Sequence, residues 1–196
     1  MYLWLWMALI SGVILGFWDI LKKKAMEKAT VLNVLAFYSL FCFLLVSFEI
    51  NNALKVEYDI ILLLFIKSIV IFFSWILGFS AIKGLPISVI TPFRTLAPFF
   101  TVIFGVLILN ERLGYIQIIG TFVLFSAYYF IGKAGKNEIV DFFKNKYFYY
   151  MLISAFLGAV SSLMDKILMG TINTGQMQFW FTFFMAMLYF AALLIQ

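Results

Sequence analysis

The sequence predicts an all-α protein, a polytopic transmembrane helical bundle of about seven spans. Apolar residues make up 65% of the 196-residue chain and charged residues only 12%. A soluble domain is about half apolar and about a quarter charged. This much apolar surface exceeds what a water-soluble fold of this length can bury, so lipid must solvate part of it. The apolar residues also fall into runs of about 20, the length of one crossing, joined by short polar turns.

The expected spans are 2–21, 31–50, 60–82, 87–109, 114–132, 148–169 and 177–195. The first opens Met1-Tyr-Leu-Trp-Leu-Trp and ends at Lys22-Lys23-Lys24. It lacks both the basic start and the small-residue cleavage site of a signal peptide, so it is expected to be retained. The three lysines either mark a cytoplasmic loop or extend the helix toward a polar cavity. Cys42 stands alone within the second span, which excludes a disulfide framework. In the third span Lys67, Ile71, Ser74, Gly78 and Ala81 share one helical face, with Trp75 beside it. Lys67 lies roughly 10 Å along that helix, within reach of snorkelling to a headgroup or of facing a cavity.

The fourth span carries Arg94 between Pro92 and Pro98. Prolines free backbone carbonyls, which membranes tolerate where neighbours or cavity water satisfy them. Thr91, Arg94, Thr95, Pro98, Thr101 and Gly105 form a polar stripe on that helix. An intramembrane arginine either attracts a carboxylate or phosphate of a substrate, or pairs with an acid or headgroup structurally. If Lys67 and Arg94 face one cavity, it suits an anion; if Asp19 neutralises one of them, it suits a zwitterion. Glu111 and Arg112 fall at the turn before the fifth span, where capping and an ion pair are the expected work. Trp18, Trp75 and Phe93 are candidates for a cavity wall, whereas Trp4, Trp6 and Tyr147 to Tyr150 read as interfacial belt residues.

Residues 134–147 form the one connection long and polar enough to link two halves, 1–133 and 148–196. Loops one, three and five carry Lys22, Lys23, Lys24, Lys28, Lys83, Lys133, Lys136, Lys144 and Lys146. Loops two, four and six carry only Lys55, Arg112 and Lys166. The positive-inside rule then places the odd loops in the cytoplasm. A shift of 146 residues superposes a pattern in the first and sixth spans. Ala8, Gly12, Gly16 and Asp19 have the spacing of Ser154, Gly158, Ser162 and Asp165, along one face of each helix. Small residues at every fourth position let membrane helices approach closely, so Gly12, Gly16, Gly158 and Ser162 are expected at helix contacts. Five spans separate the copies, and an odd number per unit makes the units inverted.

The stretch from Gly84 through Pro98, Leu109-Asn110-Glu111-Arg112-Leu113-Gly114 and Gly120 resembles the EamA repeat of the drug/metabolite transporter superfamily. Pro98, Glu111, Arg112 and Gly120 match its motif, and Asn110 stands where the family often has glycine. The resemblance covers about residues 3–133 and again 148–196, where two further spans are seen. It implies a five-span inverted-repeat transporter architecture, cut short, which a longer gene product, missing C-terminal helices or a homodimer would complete. The region is also similar to small multidrug-resistance exporters, but Val13-Ile-Leu-Gly-Phe17 lacks their intramembrane acid, so their proton coupling is not expected.

With no histidine, no metal-ligand spacing and no phosphate loop, the sequence points away from an enzyme and implies no cofactor. The resemblance implies a multi-pass secondary transporter of the plasma or inner membrane. It would move a small organic metabolite, anionic or zwitterionic, by alternating access. Asp19, Lys67 and Arg94 would supply the polar recognition. The alternative is a non-transporting membrane subunit or remnant that packs against partner helices.

Overall fold

The structure, a computed structural model, describes residues 3–85, 96–110, 112–134 and 145–195. Among these residues there are helices and turns but no strand. The helices are α1 (Leu3–Lys28), α2 (Val31–Val46), the short α3 (Ile50–Ala53), α4 (Tyr58–Gly84), α5 (Leu96–Ile108), α6 (Tyr115–Ala134), α7 (Lys146–Leu168) and α8 (Thr174–Ile195). Five stretches are long and apolar enough to cross a membrane: Leu5–Lys28, Val31–Ala53, Tyr58–Gly84, Lys146–Leu168 and Thr174–Ile195. The fourth expected span is described only from Leu96, as a shorter apolar helix, and the fifth as the 20-residue α6.

Helix ends follow local chemistry. α1 runs straight through Lys22 to Lys24, because Lys-Ala-Met-Glu is a helix-favouring run with no breaker. Thr30 then starts α2, its Oγ1 accepting the Asn33 N–H at 3.2 Å. The second span is not one regular helix. A 3₁₀ turn over Ser47–Glu49 links α2 to α3, and the Ser47 hydroxyl donates to the Leu44 carbonyl at 2.7 Å. Asn110, just beyond α5, has φ 51°, the left-handed conformation that only glycine and a few residues such as asparagine adopt easily. At the start of α6, Gln117 Oε1 accepts the Gly114 N–H at 2.8 Å, half of a capping box.

Packing does not follow the boundary near residue 140. α7 lies against α4 and α5, and α8 lies against α2 and α4. One buried cluster joins Leu35, Ala36, Ile71 and Phe79 to Met151, Met185 and Tyr189. A second joins Val56 and Leu64 to Leu168, Met177 and Phe184. The loops alternate between two ends of the bundle. At one end Lys23 Nζ donates to the Leu85 carbonyl at 2.6 Å and Lys83 Nζ to the Ala29 carbonyl at 3.3 Å. At the other, Gln176 Nε2 and Trp180 Nε1 each donate at 2.9 Å, to the carbonyls of Asn52 and Ala53. Loops one and three thus lie at one end and loops two and six at the other, as successive crossings require.

Candidate functional site

The third-span face predicted from helical spacing is the seam with α7. Ser74 Oγ donates to the Ser154 carbonyl at 2.9 Å, and Ser154 Oγ donates back to the Ser74 carbonyl at 2.7 Å. Two helices exchange side-chain-to-backbone bonds here, a contact that needs their backbones close. Gly78 makes that approach possible, since a Cβ there would lie 2.7 Å from Ser154 Oγ. One step away, a Cβ on Gly158 would meet Ser74 Oγ at 3.9 Å. The helices run antiparallel, so Lys67 near the start of α4 reaches Asp165 near the end of α7.

Lys67 is buried, at 4% exposure, and forms an ion pair with Asp165. Its ammonium also lies 4.2 Å from the centre of the Phe181 ring. This corrects the expectation that Lys67 supplies a cavity cation. Lys67 is not on the cavity wall described next, which is where a cation that meets a solute would stand.

A cavity of about 360 Å³ lies between α1, α2, α4 and α7, with Ala97 of α5 on its wall. Lys22, Trp18, Tyr38, Ser74, Trp75 and Phe79 give it its chemistry. The rings follow one another at a tilt, with Trp18 and Tyr38 centred 4.9 Å apart and Tyr38 and Trp75 5.7 Å apart. Trp18 and Trp75 both line this cavity, with Tyr38 between them. Lys22 is 6% exposed, bonds Asp19 Oδ1 at 3.0 Å, and lies 4.8 Å from the Phe79 ring centre. Of the two readings open for Lys22 to Lys24, the structure adopts the extended helix, and Lys22 turns inward. The sequence signal for it was only that Lys22 sits four residues beyond Trp18, on the same face.

Asp19 and Asp165, at matching places in the two small-residue stripes, each hold a buried lysine that lies over an aromatic ring. The stripes themselves differ. A Cβ on Gly12, Gly16 or Gly120 would meet nothing within 4 Å, so among the described residues these glycines mark no helix contact. Gly12 and Gly16 were expected at helix contacts; among the described residues the face they occupy meets no other helix. Ser162 is exposed, and its hydroxyl donates to the Gly158 carbonyl of its own helix at 3.0 Å. The Thr101 hydroxyl likewise donates within α5, to Ala97 at 2.9 Å.

Pro98 is the third residue of α5, a position where a helix tolerates a missing N–H. Arg112 is exposed at the turn. Thr91, Pro92, Phe93, Arg94, Thr95 and Glu111 lie outside the described residues. Among the described residues no cluster of three or more histidine, cysteine or acidic side chains could hold a metal ion.

In comparison with known proteins, the profile of the EamA-like transporter family matches residues 2–133. No curated protein matches the chain. No solved structure matches it either. A match over most of the chain, on a bundle of apolar helices, identifies this multi-pass membrane protein as a member of the EamA-like transporter family.

Proposed function

We propose that this chain is a secondary transporter that moves a small organic metabolite across the membrane by alternating access. Family membership supports membrane transport in general terms. The observation that carries the finer reading is the cavity inside the helix bundle, walled by a buried lysine and a row of aromatic rings. A closed apolar bundle has no need of a buried cation beside such a space, whereas a binding chamber does. Trp18 and Trp75 are the proposed apolar contacts, and Asp19 positions Lys22. Arg94, with Thr91 and Thr95, is proposed as a further polar wall. Lys67 acts through its pairing with Asp165 rather than on the substrate. The test is solute flux into proteoliposomes holding the full-length gene product. Uptake reduced by Trp75→Ala and Arg94→Ala, with the protein still folded, is the expected result; flux indifferent to both would overturn the site.

A second reading, a membrane subunit that packs against partner helices, is favoured by the open face of α1. Gly12 and Gly16 are exposed there among apolar side chains such as Val13 and Phe17. Cross-linking from single cysteines on this face separates the readings, because lipid leaves them uncoupled and a second copy or partner does not.

A further inference from the structure

We infer that Lys22 is the substrate-binding cation of the cavity, and that the substrate class is a small organic carboxylate with a flat apolar body. The inference rests on the transporter reading and adds to it the chemistry of the solute. Among the described residues Lys22 is the one charged side chain on the cavity wall. Asp19 is not on that wall; it holds the ammonium at 3.0 Å from one turn earlier on α1, with 29% of its side chain exposed. The acid holds the lysine in place, and of the pair it is the lysine that lines the cavity. The two serine hydroxyls on the wall offer a solute little. Ser74 and Ser154 donate their hydroxyl protons to each other's backbone carbonyls.

Recognition therefore reduces to one cation and a set of rings. Trp18, Tyr38 and Trp75 line the wall with aromatic surface against which a planar group can pack. They also exclude water, which strengthens the attraction between the ammonium and a carboxylate. The cavity is at the small end of the range for ligand pockets, which limits the solute to one ring or a comparable body. An amine of the same shape would meet the Lys22 charge and be rejected.

The test uses the full chain in lipid nanodiscs and probes of equal shape and different charge: phenylacetate, 2-phenylethanol and 2-phenylethylamine. Phenylacetate should bind about tenfold tighter than the alcohol, the scale of a charge-assisted hydrogen bond. Lys22→Gln should abolish that preference while the alcohol still binds, which shows that the cavity is intact. Lys22→Arg should keep the preference. A preference that survives Lys22→Gln, tighter binding of the amine, or no binding of any probe would overturn the inference. Flux in proteoliposomes separates the two layers. Lys22-dependent binding without flux overturns the transporter reading alone, and flux unaltered by Lys22→Gln overturns the role of Lys22 alone.

Discussion

Lys67 of α4 and Asp165 of α7 neutralise one another across the seam between the third and sixth expected spans, beneath the ring of Phe181. Removing one partner strands a buried charge, while removing both leaves an apolar gap. Asp165→Asn should therefore destabilise the protein by roughly 1–3 kcal/mol, less than a fully buried pair because a third of the aspartate side chain is exposed. The double variant Lys67→Met/Asp165→Asn should be closer to the parent than Asp165→Asn alone. Thermal unfolding in detergent reads both, and a double variant worse than either single change would contradict the pairing.

The Ser74–Ser154 exchange predicts a coupling that a double-mutant cycle detects. Each hydroxyl removed by alanine should cost about 0.5–2 kcal/mol, the range for interhelical hydrogen bonds in membranes. Gly78→Ala should also destabilise, since its new methyl would press on Ser154 Oγ. Combining Gly78→Ala with Ser154→Ala removes the obstructing atom and should recover part of that loss. Strict additivity of the two changes would show that the helices are not this close.

Gly12→Ala and Gly16→Ala should behave differently from Gly78→Ala. Open space surrounds both positions, and alanine favours a helix over glycine by up to about 1 kcal/mol. The purified chain should be unchanged or slightly stabilised, by the same thermal assay. A marked loss would reveal a helix seated on that face.

Asn110 supplies a backbone test. Its φ of 51° should make Asn110→Gly neutral or favourable and Asn110→Ala costly by about 1 kcal/mol. Equal stability of the two variants would show that the turn does not hold the left-handed conformation.

The helical class and much of the internal patterning were legible from residue spacing, because periodicity reports which side chains share a face. Lys67, Ile71, Ser74 and Gly78 do share one. What periodicity omits is the identity of the neighbour, and here it is the sixth span, which sequence spacing alone does not bring near. The omission explains the reading of Lys67 as a cavity cation, since nothing local to it announces Asp165. It also explains why two stripes of identical spacing differ in space, one at Ser154 and Gly158 against α4, the other at Gly12 and Gly16 against no described residue. Lys22 was obscured by its company: a lysine triplet after an apolar run reads as an orientation signal, and only the extended helix turns its first member inward. Asn110 was visible as a departure from the glycine of the EamA motif, and its backbone angle shows why that replacement is tolerated.

The interleaved core has a consequence for biosynthesis. The inner faces of α2 and α4 are completed by Met151, Met185 and Tyr189, which emerge from the ribosome long after those helices have entered the bilayer. Until then Lys67 has no Asp165 and Ser74 has no Ser154, so the early helices wait with polar groups uncovered. A nascent chain arrested before α7 should thus stay protease-sensitive and engaged with the insertion machinery. The segment that carries the family profile and the length of chain that completes the core are, in this protein, different.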